Sequence, residues 1–286
     1  RSHEYLHLYE SGTISQRWLE VARNTTEVQL VTPFWITIHN WRKLPSHDEA
    51  LQELIGKHPF QFQYLPIAVM AQQVDDQIFD LDLINRQRPK IADGHAFLID
   101  RSTQAEYGPL DSRHFAREDI ESKRTTEIGN QEFRIAGLFD LGTGLAANGA
   151  VLMSDRGFQR LIPWNTNERI SLGLIQLSKS ANPLKVKQDL HRRLSVSNDL
   201  DTTTTPELTT VEVLTRQEML DLENKRWLWQ TPIGLIFQLG VGLSLLVGAA
   251  IVYMVLATDV ANRLSEYATL LAMGYSRCYL ASVVMT

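Results

Sequence analysis

The sequence predicts an α+β domain joined to transmembrane α-helices. The first observation is an apolar run at 233–257 (IGLIFQLGVGLSLLVGAAIVYMVLA), which has no charge, no polar face and one strongly polar side chain, Gln238. At about 1.5 Å rise per residue, a helix of this length exceeds the roughly 30 Å hydrocarbon thickness of a bilayer. The second observation is that about 230 residues before the run are ordinary in composition and carry both strand and helix patterns.

Strand patterns are frequent in the soluble part. Segments rich in β-branched and aromatic residues predict strands, and Gly129-Asn130 predicts a hairpin turn between two of them. Pro33 predicts a bulge or a sheet edge in the first long strand. The predicted strands cover 28–41, 60–71, 96–99, 126–128, 133–139, 150–153, 170–177 and 211–214.

Helix starts are marked by side chains that can accept hydrogen bonds from free backbone N–H groups. Asn182 is followed by proline at the first helical position, and Thr215 can form a capping box with Glu218. Strand, helix, strand and helix from residue 170 onward predict a βαβ-type unit and a small mixed sheet with helices on one face. The predicted helices cover 15–25, 154–161 capped by Ser154 or Asp155, the stretch after Asn182 with Val186, Leu190 and Leu194 on one face, and the stretch after Thr215.

Other parts of the sequence argue against several classes of function. The net charge of −5, without a basic stripe, argues against nucleic-acid binding. The glycine-rich stretch 142–149 lacks the lysine and the spacing of a phosphate loop. An acidic group at 75–82 lacks the glycine turn and closing glutamate of a calcium loop, and we interpret it as a solvated loop. No nucleophile–base pair can be nominated, so we expect no catalytic residue and no cofactor.

One motif could suggest a metal site. His3-Glu4-Tyr5-Leu6-His7 spells H-E-x-x-H, which on a helix binds zinc, and Glu27 is a candidate third ligand. No apolar helical frame surrounds the motif, and so short a pattern recurs by chance. We interpret it as a solvated helix end and expect no metal. A membrane-bound zinc peptidase stays as an alternative that rests on His3 and His7 alone.

Small residues recur on one face of the apolar run. Gly240, Ser244 and Gly248 are spaced four residues apart, and small side chains let a neighbouring helix approach closely in lipid. This face either packs within one subunit or lines an interface between subunits.

A short amphipathic helix is predicted after the run. Thr258 or Asp259 can cap it, Gly274 can end it, and Asp259 can pair with Arg263 at a spacing of four residues. Because basic residues are few, a protein partner is favoured over an anionic lipid surface. The apolar stripe consists of Val260, Leu264, Tyr267 and Leu271.

The segment Arg263-x-x-Glu266-Tyr-Ala-Thr-Leu-Leu-Ala-Met-Gly274-Tyr resembles the region after the second span in permeases of the MacB/FtsX superfamily, and it is most similar to the DevC-type exporter permeases. Further similar segments lie in the family's order at 100–109, 137–143, 172–177, 213–218 and 231–234. The chain departs from the family at 195–210, a polar stretch that predicts an exposed loop longer than usual, and in the stretch through Trp18.

The resemblance implies a four-span permease subunit of the inner membrane, with a large extracytoplasmic domain between the first and second spans. Such permeases act as dimers with a separate ABC ATPase, a periplasmic adaptor and an outer-membrane duct, and they transmit motion to drive cargo outward. Glycolipids, lipoproteins, peptides and small toxic molecules are all candidate cargoes. The charges that flank the run are nearly balanced, so only the resemblance assigns the large domain to the outside.

The resemblance also divides the chain, which we expect to be the middle of a longer protein. Residues 1–228 would form the periplasmic α+β domain, 229–257 the second span, 258–277 a cytoplasmic helix that couples to the ATPase, and 278–286 the start of a further span. A membrane-tethered sensor or binding module is the alternative, although a new apolar run after a short loop argues against it. The expected coupling residues are Arg263, Glu266, Tyr267, Leu270, Leu271 and Gly274.

Overall fold

The structure is a computed structural model that describes residues 1–2, 5–57, 59, 61–144, 147–163, 168–199 and 211–275. The chain forms two units, Arg1–Met219 and Leu220–Thr286. The strands of the first unit are β1 Ile14–Ser15, β2 Val28–Arg42, β3 Tyr64–Gln72, β4 Ala96–Asp100, β5 Thr125–Ile128, β6 Gln131–Phe139, β7 Ala150–Ser154, β8 Arg169–Ile170 and β9 Leu172–Leu177. The helices are α1 Arg17–Arg23, α2 His47–Leu54, α3 Asp82–Gln87, α4 Arg117–Glu121, α5 Asp155–Leu161, α6 Pro183–Asp199, α7 Arg216–Trp229, α8 Pro232–Asn262 and α9 Leu264–Ala272, with 3₁₀ turns at Arg88–Ile91 and Ala105–Tyr107.

The main sheet closes on itself through its longest strand. The strands follow the order β3-β7-β4-β6-β5-β2-β9, and β2 also pairs with β3. The first half of β2 pairs with β9, its second half, from Phe34 to Arg42, pairs with β3, and Trp41 pairs with Ile128 of β5. Six strands therefore form a ring. The predicted α+β class is confirmed. The sheet is larger than the small sheets expected, because the long strand β2 pairs with β3, β5 and β9 and so joins them in one sheet.

An aromatic cluster fills part of the core. Trp41 is fully buried, and its ring packs edge to face against Phe97, Tyr107 and Phe115 with centroids 5.7–6.0 Å apart. The indole N–H of Trp41 donates to the carbonyl oxygen of Tyr107 at 3.2 Å, so the buried donor is satisfied. Burial raises the pKa of the Tyr107 hydroxyl to about 12.

A buried ion pair fastens the loop after Tyr107. The Arg124 guanidinium lies 2.8 Å from Asp119, and the two side chains are 10% and 1% exposed. Each partner makes further hydrogen bonds, which satisfy charges that are taken out of water. Asp119 accepts from the backbone N–H groups of Leu110 and Ala116, and Arg124 donates to the carbonyl oxygens of Gly108 and Pro45.

Several predicted local features are confirmed. Gly129 and Asn130 both have positive φ, +57° and +64°, as a two-residue type I′ turn between β5 and β6 requires. Ser154, rather than Asp155, caps α5, because its hydroxyl accepts from the backbone N–H of Gly157 at 3.2 Å. Asn182 caps α6 in the same way, and the predicted face of that helix is buried: Val186, Leu190 and Leu194.

Other predictions are wrong in detail. The predicted strand 211–214 is reduced to a bridge between Val211 and Ser2. The βαβ-type unit expected after residue 170 therefore lacks its second strand. The strand that pairs with β9 is instead the first half of β2. The helix α6 continues to Asp199, into the predicted loop 195–210, because no glycine or proline interrupts it after Leu194; residues 200–210 lie outside the described part. Pro33 lies at an edge towards β3, as predicted, while the bulge falls between Val28 and Leu30.

Candidate functional site: the apolar helix and the helix after it

The start of α8 is a tightly built joint. Thr231 caps the helix, since its hydroxyl accepts from the N–H of Gly234 at 3.2 Å, and proline follows at the first helical position. A Cβ added at Gly234 would lie 2.3–2.4 Å from the carbonyl oxygens of Leu228 and Trp227. Only glycine therefore allows the two helices to meet at this distance, which gives a physical reason for the glycine in the segment 231–234.

The length and composition of α8 suit a membrane. An 18-residue window within Gly234–Asn262 has a mean hydropathy of 2.4, and the 31 residues of α8 extend about 46 Å. Polar side chains along it bond to backbone carbonyls: the Gln238 amide donates to the carbonyl of Leu228, near the end of α7, at 2.6 Å, and the Ser244 hydroxyl donates to that of Gly240 within α8 at 2.8 Å. Large apolar side chains are exposed around the helix, for example Leu235, Phe237, Leu246 and Val252. By length and composition, this helix can cross a bilayer.

The predicted small-residue face is present on α8 and is open. A Cβ at Gly240 or Gly248 would meet no atom of the described residues within 4 Å. Ser244 lies between them with its hydroxyl turned to the helix backbone, so its polar group is satisfied without a second helix. Such a face can accept another helix at short distance.

The boundary between α8 and α9 differs from the prediction. Thr258 does not cap a new helix, because α8 continues to Asn262 and the Thr258 hydroxyl donates to the carbonyl of Met254 within it. The predicted pair of Asp259 and Arg263 is confirmed at 3.3 Å, and it spans the last turn of α8. The second helix starts at Leu264, with Arg263 at the joint.

The helix α9 exposes apolar side chains. Leu264 is 61% exposed and Leu271 is 45% exposed, while Leu270 is half-buried. Glu266 lies in the first turn, where a negative charge interacts favourably with the helix dipole. The backbone of Tyr267 belongs to α9, but its side chain lies outside the described part.

The end of α9 is fixed by glycine, as predicted. Gly274 has a φ of +94°, and its N–H donates to the carbonyl of Leu271 at 3.1 Å. The N–H of Tyr275 donates to the carbonyl of Leu270 at 3.2 Å. This pair of bonds is the Schellman arrangement, which a residue with a Cβ resists. Residues 276–286, where a further span is predicted from 278, lie outside the described part.

The predicted capping box at the start of α7 is confirmed and has an additional partner. Glu218 accepts from the N–H of Thr215 at 2.8 Å, and the Thr215 hydroxyl accepts from the N–H of Glu218 at 3.3 Å. Lys187 of α6 donates to the second carboxylate oxygen at 2.6 Å. The hydrogen bond from Lys187, more than any other cause, lowers the pKa of Glu218 to about 2.

The described residues show no metal site that would support the zinc-peptidase alternative. His3 and Glu4 lie outside the described part, and the His7 imidazole lies 3.5 Å from the carboxylate of Glu10. Among the described residues, no group of three or more histidine, cysteine, aspartate or glutamate side chains is arranged to hold a metal ion.

Comparisons with known proteins give similarities to solved structures only. No protein-family model matches the chain, and no curated protein matches it. The extracellular domain of the noncanonic ABC-type transporter YknZ from Gram-positive bacteria is 12% identical, with a TM-score of 0.45 over 75% of this chain and 95% of that chain. The periplasmic region of MacB from Actinobacillus actinomycetemcomitans is 12% identical, with a TM-score of 0.38 over 67% and 85%. A domain of a putative permease protein from Porphyromonas gingivalis is 15% identical, with a TM-score of 0.38 over 71% and 87%. At these identities and TM-scores, the similarities establish neither a family nor a function.

Proposed function

We propose that this chain is part of the permease subunit of an ABC exporter of the MacB/FtsX superfamily, and specifically of the DevC type. The observation that carries the proposal is the order of features after residue 230: a glycine joint, a helix able to cross a bilayer, a charged turn, and a short capped helix with exposed apolar side chains. The sequence segment from Arg263 to Gly274 that resembles the family coincides with this short helix. The three solved structures are domains of transporters or permeases, but their low TM-scores add no weight.

The proposal assigns a role to each part of the chain. Residues 1–228 are the periplasmic domain, 229–257 a span of the inner membrane, 258–277 the cytoplasmic coupling segment, and 278–286 the start of a further span. Since α8 continues to Asn262, the part of the coupling segment that can dock as a separate helix is α9. The subunit itself carries no catalysis in this proposal, and ATP is hydrolysed by a separate chain.

The coupling helix is proposed to bind the ATPase through its exposed side. Tyr267 and Leu271 are the apolar anchors, because burying a leucine side chain alone contributes about 1.5–3 kcal/mol. Glu266 and Arg263 are the polar contacts, with Leu270 beside them and Gly274 fixing the end of the helix. Movement of the ATPase would then pull on α8.

The exporter proposal includes further partners: a second copy of the chain, an adaptor and an outer-membrane duct. The face of Gly240, Ser244 and Gly248 is proposed to pack against a second copy in a homodimer, because a Cβ at either glycine meets no atom in the described chain. The periplasmic domain is proposed to meet an adaptor and an outer-membrane duct, and to drive cargo through them. A glycolipid is one candidate cargo, and identifying it needs a transport assay.

An ATPase assay on the purified complex tests this assignment. Leu271→Asp and Glu266→Lys are expected to abolish the stimulation of ATP hydrolysis by the permease, because each places an unfavourable charge in the contact. Ser265→Asp is the matched control: it introduces the same charge on an exposed position about 120° around the helix from Leu271 and about 100° from Glu266. Full stimulation with both Leu271→Asp and Glu266→Lys would show that α9 does not contact the ATPase.

A further inference from the structure

A cavity lies at the carboxyl ends of two parallel strands of the first unit. Strands β3 and β7 are parallel, and Gln72 and Ser154 are the last pair of their ladder. The residues that directly follow each strand line a cavity of about 390 Å³, together with Ala92: Gln73, Val74, Asp75, Asp155 and Arg156. Ligands of α/β sheets commonly bind at the carboxyl ends of parallel strands, since the following loops diverge there.

Backbone geometry holds the wall of the cavity in place. Gly94 has a φ of +72°, and a Cβ at this position would lie 2.9 Å from the Cβ of Arg156. The chain after Ala92 can therefore approach the start of α5 only with glycine at 94. This approach brings two loops that are distant in sequence to the same cavity.

The lining carries charges of both signs that have no partner among the residues that the structure describes. Within the described part of the chain, the side chains of Asp75, Asp155 and Arg156 make no hydrogen bond or ion pair. Two carboxylates can accept hydrogen bonds from an ammonium group, and a guanidinium can bind a carboxylate or a phosphate through two N–H groups. The described residues around the cavity do not form a metal-binding group.

Two residues that flank the lining segment 73–75 in sequence also carry buried polar atoms without a partner in the described part of the chain. Gln72 is 1% exposed, and neither its amide nitrogen nor its amide oxygen has a hydrogen-bond partner among the described residues. One carboxylate oxygen of Asp76 is likewise buried and unpaired, and burial raises the pKa of this group. Buried polar groups in proteins are nearly always hydrogen-bonded, and the exceptions often mark functional positions.

We propose that this cavity binds a small zwitterion, with its ammonium group between Asp75 and Asp155 and its anionic group on Arg156. The volume lies at the lower end of the range of ligand sites, which suits a head group or a dipeptide rather than a larger molecule. A phosphate-bearing zwitterion can come from a phospholipid head group, and a carboxylate-bearing one from a peptide. The site is independent of the exporter proposal, because it uses residues of the first unit only.

Calorimetric titration of the full chain in detergent tests the site. The probes are O-phosphoethanolamine and glycylglycine, compared with ethanolamine and inorganic phosphate, which each carry only one of the two charges. A zwitterion is expected to bind at least about tenfold more tightly than either single-charge probe, because a hydrogen bond to a charged group contributes about 1.5–3 kcal/mol. Nanodiscs with and without phosphatidylethanolamine then distinguish a lipid head group from a free ligand, by competition with the bound probe.

Substitutions in the lining connect binding to the named side chains. Arg156→Gln and Asp155→Asn are each expected to weaken zwitterion binding about tenfold or more. Arg117→Gln and Asp140→Asn remove the same charges at exposed positions elsewhere and are expected to leave binding unchanged. The proposal is overturned if neither zwitterion binds, if single-charge probes bind equally well, or if the lining substitutions behave like their controls.

Discussion

Replacing Asp119 with alanine is expected to destabilise the domain by about 3–5 kcal/mol, the cost of breaking a buried ion pair by removing one partner. Asp119 is 1% exposed and accepts hydrogen bonds from Arg124 and from the N–H groups of Leu110 and Ala116. The substitution would leave these donors without an acceptor, and the Arg124 charge would stay buried. This loss is a large part of the 5–15 kcal/mol that typically stabilises a domain.

Urea unfolding of the full chain in non-ionic detergent, followed by tryptophan fluorescence, measures the effect; Trp41 in the nearby aromatic core is one of the six tryptophans that contribute to the signal. Glu121→Ala is the control on the same helix, because its partner Arg117 is 84% exposed, and it is expected to change stability by about 0.5 kcal/mol or less. In Asp119→Ala/Arg124→Met the unpaired guanidinium is absent, so the loss should be smaller than the sum of the single losses. A loss below about 1 kcal/mol in Asp119→Ala would refute the reasoning.

Three further predictions concern the helices near the membrane. Gly234→Ala should loosen the α7–α8 joint and speed tryptic cleavage there, whereas Gly242→Ala, where a Cβ meets no atom within 4 Å, should not. Gly274→Val should cost about 1 kcal/mol in a left-handed backbone and speed amide hydrogen exchange at the end of α9; unchanged exchange would contradict the assigned cap. The pKa of Glu218 is depressed to about 2, so the stability it contributes is complete above its ordinary value near 4.5 and is lost as the pH falls towards 2. Carboxyl NMR titration checks this, and Lys187→Met should raise the pKa.

Local signals in the sequence predicted the ends of elements well. The Gly129-Asn130 turn, the caps at Ser154 and Asn182, and the glycine end at Gly274 all depend on one or two residues whose backbone preference or hydrogen bonding acts locally. Such signals hold because the interaction lies within the same few residues.

Long-range features were not predictable in the same way. The closure of the sheet depends on which strands pair with each half of β2, and no local pattern encodes that choice. The helix α2 is not among the predicted helices, although Ser46 and Glu49 form a capping box at its start. The predicted start of a new helix at Thr258 is wrong, because α8 continues to Asn262. A threonine hydroxyl that could cap a helix can equally donate to the carbonyl of the preceding turn, as Thr258 does to Met254.

The candidate sites likewise differ in whether they depend on local spacing or on long-range strand pairing. The small-residue face and the exposed α9 side chains follow from helical spacing, so the sequence could indicate them. The cavity near Asp155 and Arg156 joins loops that follow strands about 80 residues apart in sequence, and only the parallel pairing of β3 and β7 brings them together. In the sequence, Asp75 and its acidic neighbours had the pattern of a solvated loop.

The most direct test of the exporter proposal is affinity purification of the tagged full-length protein from detergent-solubilised membranes, with mass spectrometry of the proteins recovered. The proposal predicts that an ABC ATPase is recovered with the wild type and with Ser265→Asp, and is lost with Leu271→Asp. It is contradicted if folded preparations of the wild type recover no ATPase, or if Leu271→Asp recovers as much as the wild type.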